Sequence, residues 1–131
     1  MKHERSALGR AAISAAILVA SMAVTTAAKA NDCVTAGAGA GGSCSAVTLT
    51  TLYVESGVPG TNGNVYISVN GAMAPLGCLL NGGYATLPKA APNFNATYGT
   101  LLAAQTTKAP FDLRVVQGDG GYCVVAYLIL H

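Results

Sequence analysis

The sequence predicts a mainly β protein with one helix, arranged as five antiparallel strands in the order β-β-β-α-β-β. Three observations between residues 46 and 131 support this. Short segments alternate between apolar and polar residues, which is typical of half-buried strands. One segment has the 3.6-residue period of an amphipathic helix. Turn-forming Gly, Asn, Pro and Asp residues separate these segments. The expected structure is a small antiparallel barrel or sheet.

The first thirty residues have the composition of a secretory signal peptide. Lys2, Arg5 and Arg10 make a basic start, residues 11–24 are apolar, and Ala28-Lys29-Ala30 matches the small-x-small cleavage pattern. The apolar run is too short for a transmembrane helix of about 20 residues. We expect residues 1–30 to be removed, leaving a secreted or periplasmic protein with no integral membrane segment.

Charge in residues 31–131 excludes one class of partner. Three basic and four acidic residues give a formal balance of 3 − 4 = −1, although the full chain has a net charge of +2. The residues are Lys89, Lys108, Arg114, Asp32, Glu55, Asp112 and Asp119. No basic patch remains to neutralise phosphates, so we expect no nucleic-acid partner.

The four cysteines all lie after the predicted leader, and an even count in a small exported domain predicts two disulfides. Three pairings are open. We favour Cys33 with Cys44, which closes a short loop, and Cys78 with Cys123, which ties the middle of the chain to its end. The sequence has no Cys-x-x-Cys pair, and outside the leader its one histidine is His131. We therefore expect no metal site and no cofactor.

Residues 31–45 predict a flexible arm in which the Cys33–Cys44 bond is the main constraint. The segment between those cysteines is nearly all Ala and Gly, which provides little side chain to bury. It ends Gly42-Ser43-Cys44, without the Gly-Lys-Ser/Thr of a phosphate-binding loop. The folded domain is expected to cover residues 46–131.

Four short segments follow the arm. Val47–Glu55 is rich in Val, Thr, Leu and Tyr and predicts a strand. Asn64–Asn70 alternates cleanly and predicts a half-buried strand. Leu76–Leu80 predicts a short apolar strand, which Tyr84–Leu87 extends beyond a turn.

The predicted helix runs from after Pro92 to about Gln105, and Pro110 prevents its continuation. Gly99 in its middle costs about 1 kcal/mol relative to Ala, which predicts a close contact there. Four apolar residues at i, i+4, i+7 and i+8 form the face expected to be buried: Phe94, Tyr98, Leu101 and Leu102.

Two strands complete the domain. Phe111–Gln117 alternates, and after a glycine-rich hairpin loop Tyr122–Leu130 is apolar on both faces. Simple alternation places Val125, Tyr127 and Ile129 on one face, which either the helix or a partner subunit must cover.

A helix between the third and fourth of five strands matches the oligonucleotide/oligosaccharide-binding (OB) barrel. A β-grasp or cystatin-like sheet is the alternative, although both place the helix earlier in the chain. The OB-like barrel is therefore the favoured architecture.

Residues 92–130 also carry a resemblance. The features that carry the resemblance are Phe94, Tyr98, the runs 101–104 and 111–115, and a final strand holding Cys123. Residues 92–130 resemble a set of small exported bacterial proteins. More distantly, they resemble the B subunit of subtilase-type cytotoxin. The resemblance implies an exported barrel that forms rings and binds glycans, and it carries over no binding residue.

Catalysis is not expected. His131 is at the chain end, where no neighbour in sequence would orient it as a general base, so we expect no Ser/His/Asp set. Asp112 alternates with Arg114 on an exposed face, and Asp119 lies in a glycine-rich turn, which indicates solvated carboxylates. The sequence therefore predicts a binding module and not an enzyme.

The residues expected to contact a ligand lie on the strands: Tyr53, Tyr66, Ser68, Asn70 and Arg114. A tyrosine offers an apolar face to a sugar ring together with a hydroxyl group. The expected partners are a cell-surface glycan or protein and further copies of the chain. The alternatives are a self-associating envelope or matrix protein and a secreted enzyme inhibitor.

Overall fold

The computed structural model describes residues 31–56 and 62–131, so the predicted signal peptide lies outside the described residues. The described part is mainly β with one helix, as predicted. Its seven strands form one sheet in the order β1-β2-β6-β7-β5-β4-β3. The elements are β1 (Cys33–Thr35), β2 (Gly42–Val47), β3 (Leu49–Val54), β4 (Val65–Val69), β5 (Ala85–Leu87), α1 (Phe94–Thr107), β6 (Phe111–Gln117) and β7 (Cys123–Leu130).

The sheet has seven strands where the sequence predicts five, because the Gly/Ala-rich segment contributes β1 and β2. β1 pairs antiparallel with β2, and β2 pairs antiparallel with β6. The expectation of a flexible arm is therefore wrong. The glycines that suggested flexibility allow close packing, since a Cβ on Gly41 would overlap the Val115 carbonyl oxygen and one on Gly42 that of Val34.

Strands β2 and β3 are separated by Thr48 alone, yet they lie in different parts of the sheet. β2 pairs with β6, whereas β3 pairs with β4 at the far end of the strand order. A register shift between Cys44 and Val47, where Ala46 has a φ of 50°, marks the bend. The two ends of the sheet are thus brought close together by the continuity of the chain.

The predicted strand at Leu76–Leu80 does not form. Gly77 and Leu79 each make a single bridge, to Gly41 and to Tyr122. The Cys78–Cys123 disulfide holds this segment against the sheet. The strand that follows β4 is instead β5, which pairs antiparallel with β4 and parallel with β7.

Both disulfides join the cysteines that the sequence analysis favours, Cys33 with Cys44 and Cys78 with Cys123. The first links directly paired residues of β1 and β2. The second links residues 45 positions apart. Both Cys44 and Cys123 are fully buried, so each bond is part of the core.

Helix α1 packs against β3 and β7. Phe94, Leu101 and Ala104 are buried, but Leu102 is 41% exposed and does not belong to the buried face that the periodicity predicts. The close contact expected at Gly99 is also absent, because a Cβ there would meet no atom within 4 Å.

Strand β7 does not alternate along its whole length. The β6–β7 register shifts between Arg114 and Val115, and Ala126 falls at this bulge. Val125 is therefore buried, whereas Tyr127 and Ile129 are exposed. The prediction that these three side chains share a face is wrong, because an extra residue in one strand reverses the alternation beyond it.

The core lies between α1 and the face of the sheet that bears Ile67, Leu87, Leu113 and Val125. The opposite face is called the outer face below. Within residues 31–56 and 62–131, no helix has the length and apolar character needed to cross a membrane.

Candidate ligand-binding site

A cavity of about 820 Å³ lies on the outer face of the sheet. Its floor is a row of three residues on adjacent strands. Tyr66 on β4 is paired with Thr86 on β5, and Thr86 is paired with Val124 on β7. The side chains alternate with core residues on each strand, which directs them outward. The volume falls in the range of about 300–1,000 Å³ typical of small-molecule sites.

The rim of the cavity comes from four connections between elements. They are the segment before β4, the turn before β5, the segment after β5 and the β6–β7 hairpin. The rim residues are Asn62, Asn64, Asn81, Pro88, Lys89, Ala90, Gly118, Asp119 and Tyr122. Because the rim stands above the floor, Tyr66 is only 7% exposed although it is on the outer face.

Backbone hydrogen bonds fix the rim. Leu79 donates its N–H to the carbonyl of Gly121 at 2.8 Å, and Cys123 donates to the carbonyl of Leu79 at 2.7 Å. Beside the paired ends of β4 and β5, the Lys89 backbone N–H donates to Asn64 Oδ1 at 3.0 Å. Together with the disulfide at Cys123, these bonds give the cavity defined walls before any ligand binds.

The lining residues offer hydrogen-bonding groups and balanced charge. Lys89 and Asp119 supply one charge of each sign. Asn62 and Asn81 have amides, which both donate and accept hydrogen bonds. Tyr122 lines the same cavity, is 43% exposed and offers an aromatic surface.

Two of the predicted contact residues come together at one side of the cavity. The rings of Tyr53 and Tyr66 stack with centroids 4.8 Å apart and an interplanar angle of 16°. Tyr84 meets the Tyr53 ring at 87°, with centroids 5.3 Å apart. Desolvation raises the pKa of Tyr53, and Tyr66, Tyr84 and Glu55 raise it further.

Of the five predicted residues, Tyr66 alone is among the described lining residues of the cavity. Ser68 Oγ lies 2.8 Å from the Thr50 hydroxyl, and Asn70 Oδ1 accepts the Thr48 N–H at 2.9 Å. Arg114 is on β6, paired with β2 and β7. Ser68 and Asn70 connect β4 to the chain around β3, so their hydrogen bonds support the sheet.

Sequence reasoning missed most of the lining, and two signals were present. Thr86 alternates with the apolar Ala85 and Leu87, which predicts an outward polar side chain within a strand. Asn62 and Asn81 lie in turns beside strands, where ligand contacts are common.

The C-terminal histidine is oriented, contrary to the expectation from its position. His131 Nε2 lies 3.1 Å from Asp112 Oδ1, which also accepts the Ala46 N–H at 2.8 Å. The backbone N–H of His131 donates to the Pro110 carbonyl. The hydrogen bond from Ala46, followed by the interaction with His131, lowers the pKa of Asp112. This pair does not line the cavity.

In the described ranges, no three His, Cys, Asp or Glu side chains converge in a group able to hold a metal ion. Comparisons with protein-family models, curated proteins and solved structures found no match for this chain.

Proposed function

We propose that the mature chain is an exported, non-catalytic module that binds an uncharged carbohydrate in the cavity over Tyr66, Thr86 and Val124. The observation behind this proposal is the combination of asparagine amides with the exposed Tyr122 ring around one floor. Amides pair with sugar hydroxyls, and an aromatic ring packs against the C–H face of a sugar. The predicted leader and the two disulfides support export.

We also propose an OB-like barrel as the architecture. If β2 and β3 are counted as one bent strand and β1 as an added edge strand, the remaining order is β-β-β-α-β-β. Ligands of OB folds bind at the second and third strands and the neighbouring loops. In this chain those strands are β4 and β5, which carry Tyr66 and Thr86.

The cavity lining supports binding without catalysis. Glycoside hydrolysis uses a pair of carboxylates that flank the scissile bond. Asp119 is the one carboxylate among the described lining residues. Asp112 and His131 pair with each other outside that lining.

A second candidate function, self-association, is supported by exposed apolar side chains elsewhere on the outer face. Val34, Tyr127 and Ile129 are all more than half exposed. Contact with further copies would bury them, and a ring of copies would strengthen binding by weak sugar sites through multivalency. Such assembly agrees with the toxin-subunit resemblance of residues 92–130. Without sugar binding, it would fit an envelope or matrix protein.

An array of neutral glycans, followed by titration calorimetry on the mature chain, tests carbohydrate binding. We expect binding to at least one neutral glycan and at least a tenfold loss of affinity in Tyr122→Ala. Leu102→Ala is the matched control, because Leu102 on α1 is 41% exposed and lies outside the cavity. The absence of any glycan ligand, or equal losses in both variants, would contradict the proposal.

A further inference from the structure

An exposed aromatic surface continues from the cavity onto the next strand. Tyr53 on β3 is paired with Tyr66 on β4, and Tyr84 lies against the Tyr53 ring. These three residues are called the tyrosine shelf. Tyr66 belongs to the cavity floor, whereas Tyr53 does not line the cavity. The Tyr53 ring therefore lies beside the cavity, stacked on the Tyr66 ring with centroids 4.8 Å apart.

Exposure distinguishes the two stacked rings. Tyr66 is 7% exposed because Tyr53 and the rim enclose it, but Tyr53 is 42% exposed. Stabilisation of the sheet explains the stacking, since aromatic cross-strand pairs contribute to pairing. Sheet stabilisation does not, however, require the Tyr53 ring to remain exposed to solvent beside a cavity. An exposed aromatic ring at that place is suited to stacking against a ligand that extends out of the cavity.

The charges around the shelf favour a sugar over a nucleic acid. Glu55 is near enough to Tyr53 to raise the pKa of its hydroxyl, and a carboxylate opposes the approach of phosphates. Among the described lining residues Lys89 is the one cation, and its Nζ lies 4.4 Å from the Phe94 ring centroid. A neutral chain of rings avoids the repulsion and can use the aromatic surface.

We propose that the tyrosine shelf is a second subsite, so that the ligand is an oligosaccharide with one ring in the cavity and the next ring on Tyr53. This inference rests on the proposed carbohydrate binding. It adds that affinity depends on chain length and that Tyr53 is responsible for the dependence.

Titration calorimetry with the glucose-to-maltotetraose and N-acetylglucosamine-to-chitotetraose series tests the subsite. In one of the two series we expect the wild-type affinity to rise at least tenfold from one ring to three. Tyr53→Ala should remove that gain and leave the affinity for one ring within about twofold. Tyr53→Phe, which keeps the ring, should retain the gain.

Two controls separate a lost subsite from a damaged fold. Tyr53→Leu keeps apolar packing against Tyr66 without a flat ring, and it should behave like Tyr53→Ala. Leu102→Ala should leave the length dependence unchanged.

The outcomes distinguish this inference from the proposed function. A length-dependent gain that persists in both Tyr53→Ala and Tyr53→Leu would overturn the subsite and leave the cavity as the sugar site. An affinity that is the same for one ring and for longer chains would also overturn the subsite and leave the cavity as the sugar site. If the chain binds no member of either series, the subsite is overturned for both kinds of sugar. The neutral-glycan array then tests the proposed carbohydrate binding separately. Tyr53-dependent binding of an eight-nucleotide dT oligomer, with no sugar binding, would overturn both.

Discussion

The outer face of the sheet has two halves of opposite character. The cavity half, formed by β4, β5 and the start of β7, is enclosed by connections rich in asparagine. The apolar half, formed by β1, β2, β6 and the end of β7, has large apolar side chains exposed at Val34, Tyr127 and Ile129. Tyr66 in the first half is 7% exposed, whereas Tyr127 in the second is 55% exposed.

The difference shows how one sheet can present two kinds of surface. Walls and amides above an aromatic floor suit a small polar ligand, because the groups around it are already oriented. An exposed apolar surface suits a protein partner, because burial of that surface is favourable. The bulge at Ala126 contributes to this division, since it turns Tyr127 and Ile129 outward beyond the buried Val125.

The two halves also differ in their disulfides, and breaking each bond is expected to give the largest effects. Cys78–Cys123 anchors the cavity wall and spans 45 residues, whereas Cys33–Cys44 spans 11. Loop-closure entropy predicts contributions of about 4 and about 3 kcal/mol to the free energy of unfolding. Paired Cys→Ala variants, measured by urea unfolding, should therefore rank Cys78/Cys123 as the more destabilising.

The burial of the cysteines acts against this ranking and makes it a stringent test. Cys33, Cys44 and Cys123 are buried but Cys78 is only partly buried, so the Cys33/Cys44 variant loses more buried sulfur. Equal destabilisation, or a larger effect for Cys33/Cys44, would show that the β1–β2 side depends on its disulfide more than loop length predicts.

The next prediction concerns the apolar half. Tyr127→Lys replaces an exposed aromatic side chain with a second positive charge opposite Arg114. It should weaken self-association of the mature chain at least tenfold, as measured by light scattering at micromolar concentration. Tyr122→Lys is the control from the cavity half and should leave the association unchanged. A wild-type chain that is monomeric at these concentrations would contradict self-association through this surface.

A smaller effect is expected in the helix. Gly99 is exposed, and a Cβ there would contact nothing, so Gly99→Ala should raise the free energy of unfolding by up to about 1 kcal/mol. Thermal unfolding measures the change. Destabilisation by the alanine would show that Gly99 is needed for a contact, as the sequence analysis expected.

The smallest effect is expected from Asp112. Its pKa is lower in the folded chain, so the charged carboxylate stabilises the fold above the ordinary Asp pKa of about 3.9. That contribution is lost as the pH falls through the lower, folded pKa. Asp112→Asn keeps an oxygen for the Ala46 N–H but removes the charge. The stability difference between wild type and variant should shrink below about pH 4. A difference that is constant from pH 7 to pH 2 would contradict this assignment.

The sequence predicts the elements whose pattern depends on local periodicity. β4, β6 and α1 follow from alternation or from the 3.6-residue period. β2 was missed because small residues have little pattern, and its position depends on pairing with β6 and on glycine contacts. The Ala126 bulge was missed because register is set by the neighbouring strand and not by the apolar residues of β7.

The candidate site was predicted less well than the fold. Tyr53 and Tyr66 come together because adjacent strands place them opposite each other. Asn62 and Tyr122 reach the cavity from distant connections, and no local pattern shows that these connections meet. Arg114 shares the outer face with Tyr66, but its strand lies in the apolar half. Which residues share a surface depends on the strand order β6-β7-β5-β4, which the sequence does not display.

One measurement tests most directly whether the cavity half is the carbohydrate site. Backbone and methyl NMR shifts of the labelled mature chain are recorded during titration with the best neutral glycan from the array. We expect the changes to cluster at Tyr66, Thr86, Tyr122 and Val124, with Val34 and Ile129 unaffected. Changes centred on Val34 and Ile129, or no changes at saturating glycan, would contradict the assignment of the cavity as the binding site.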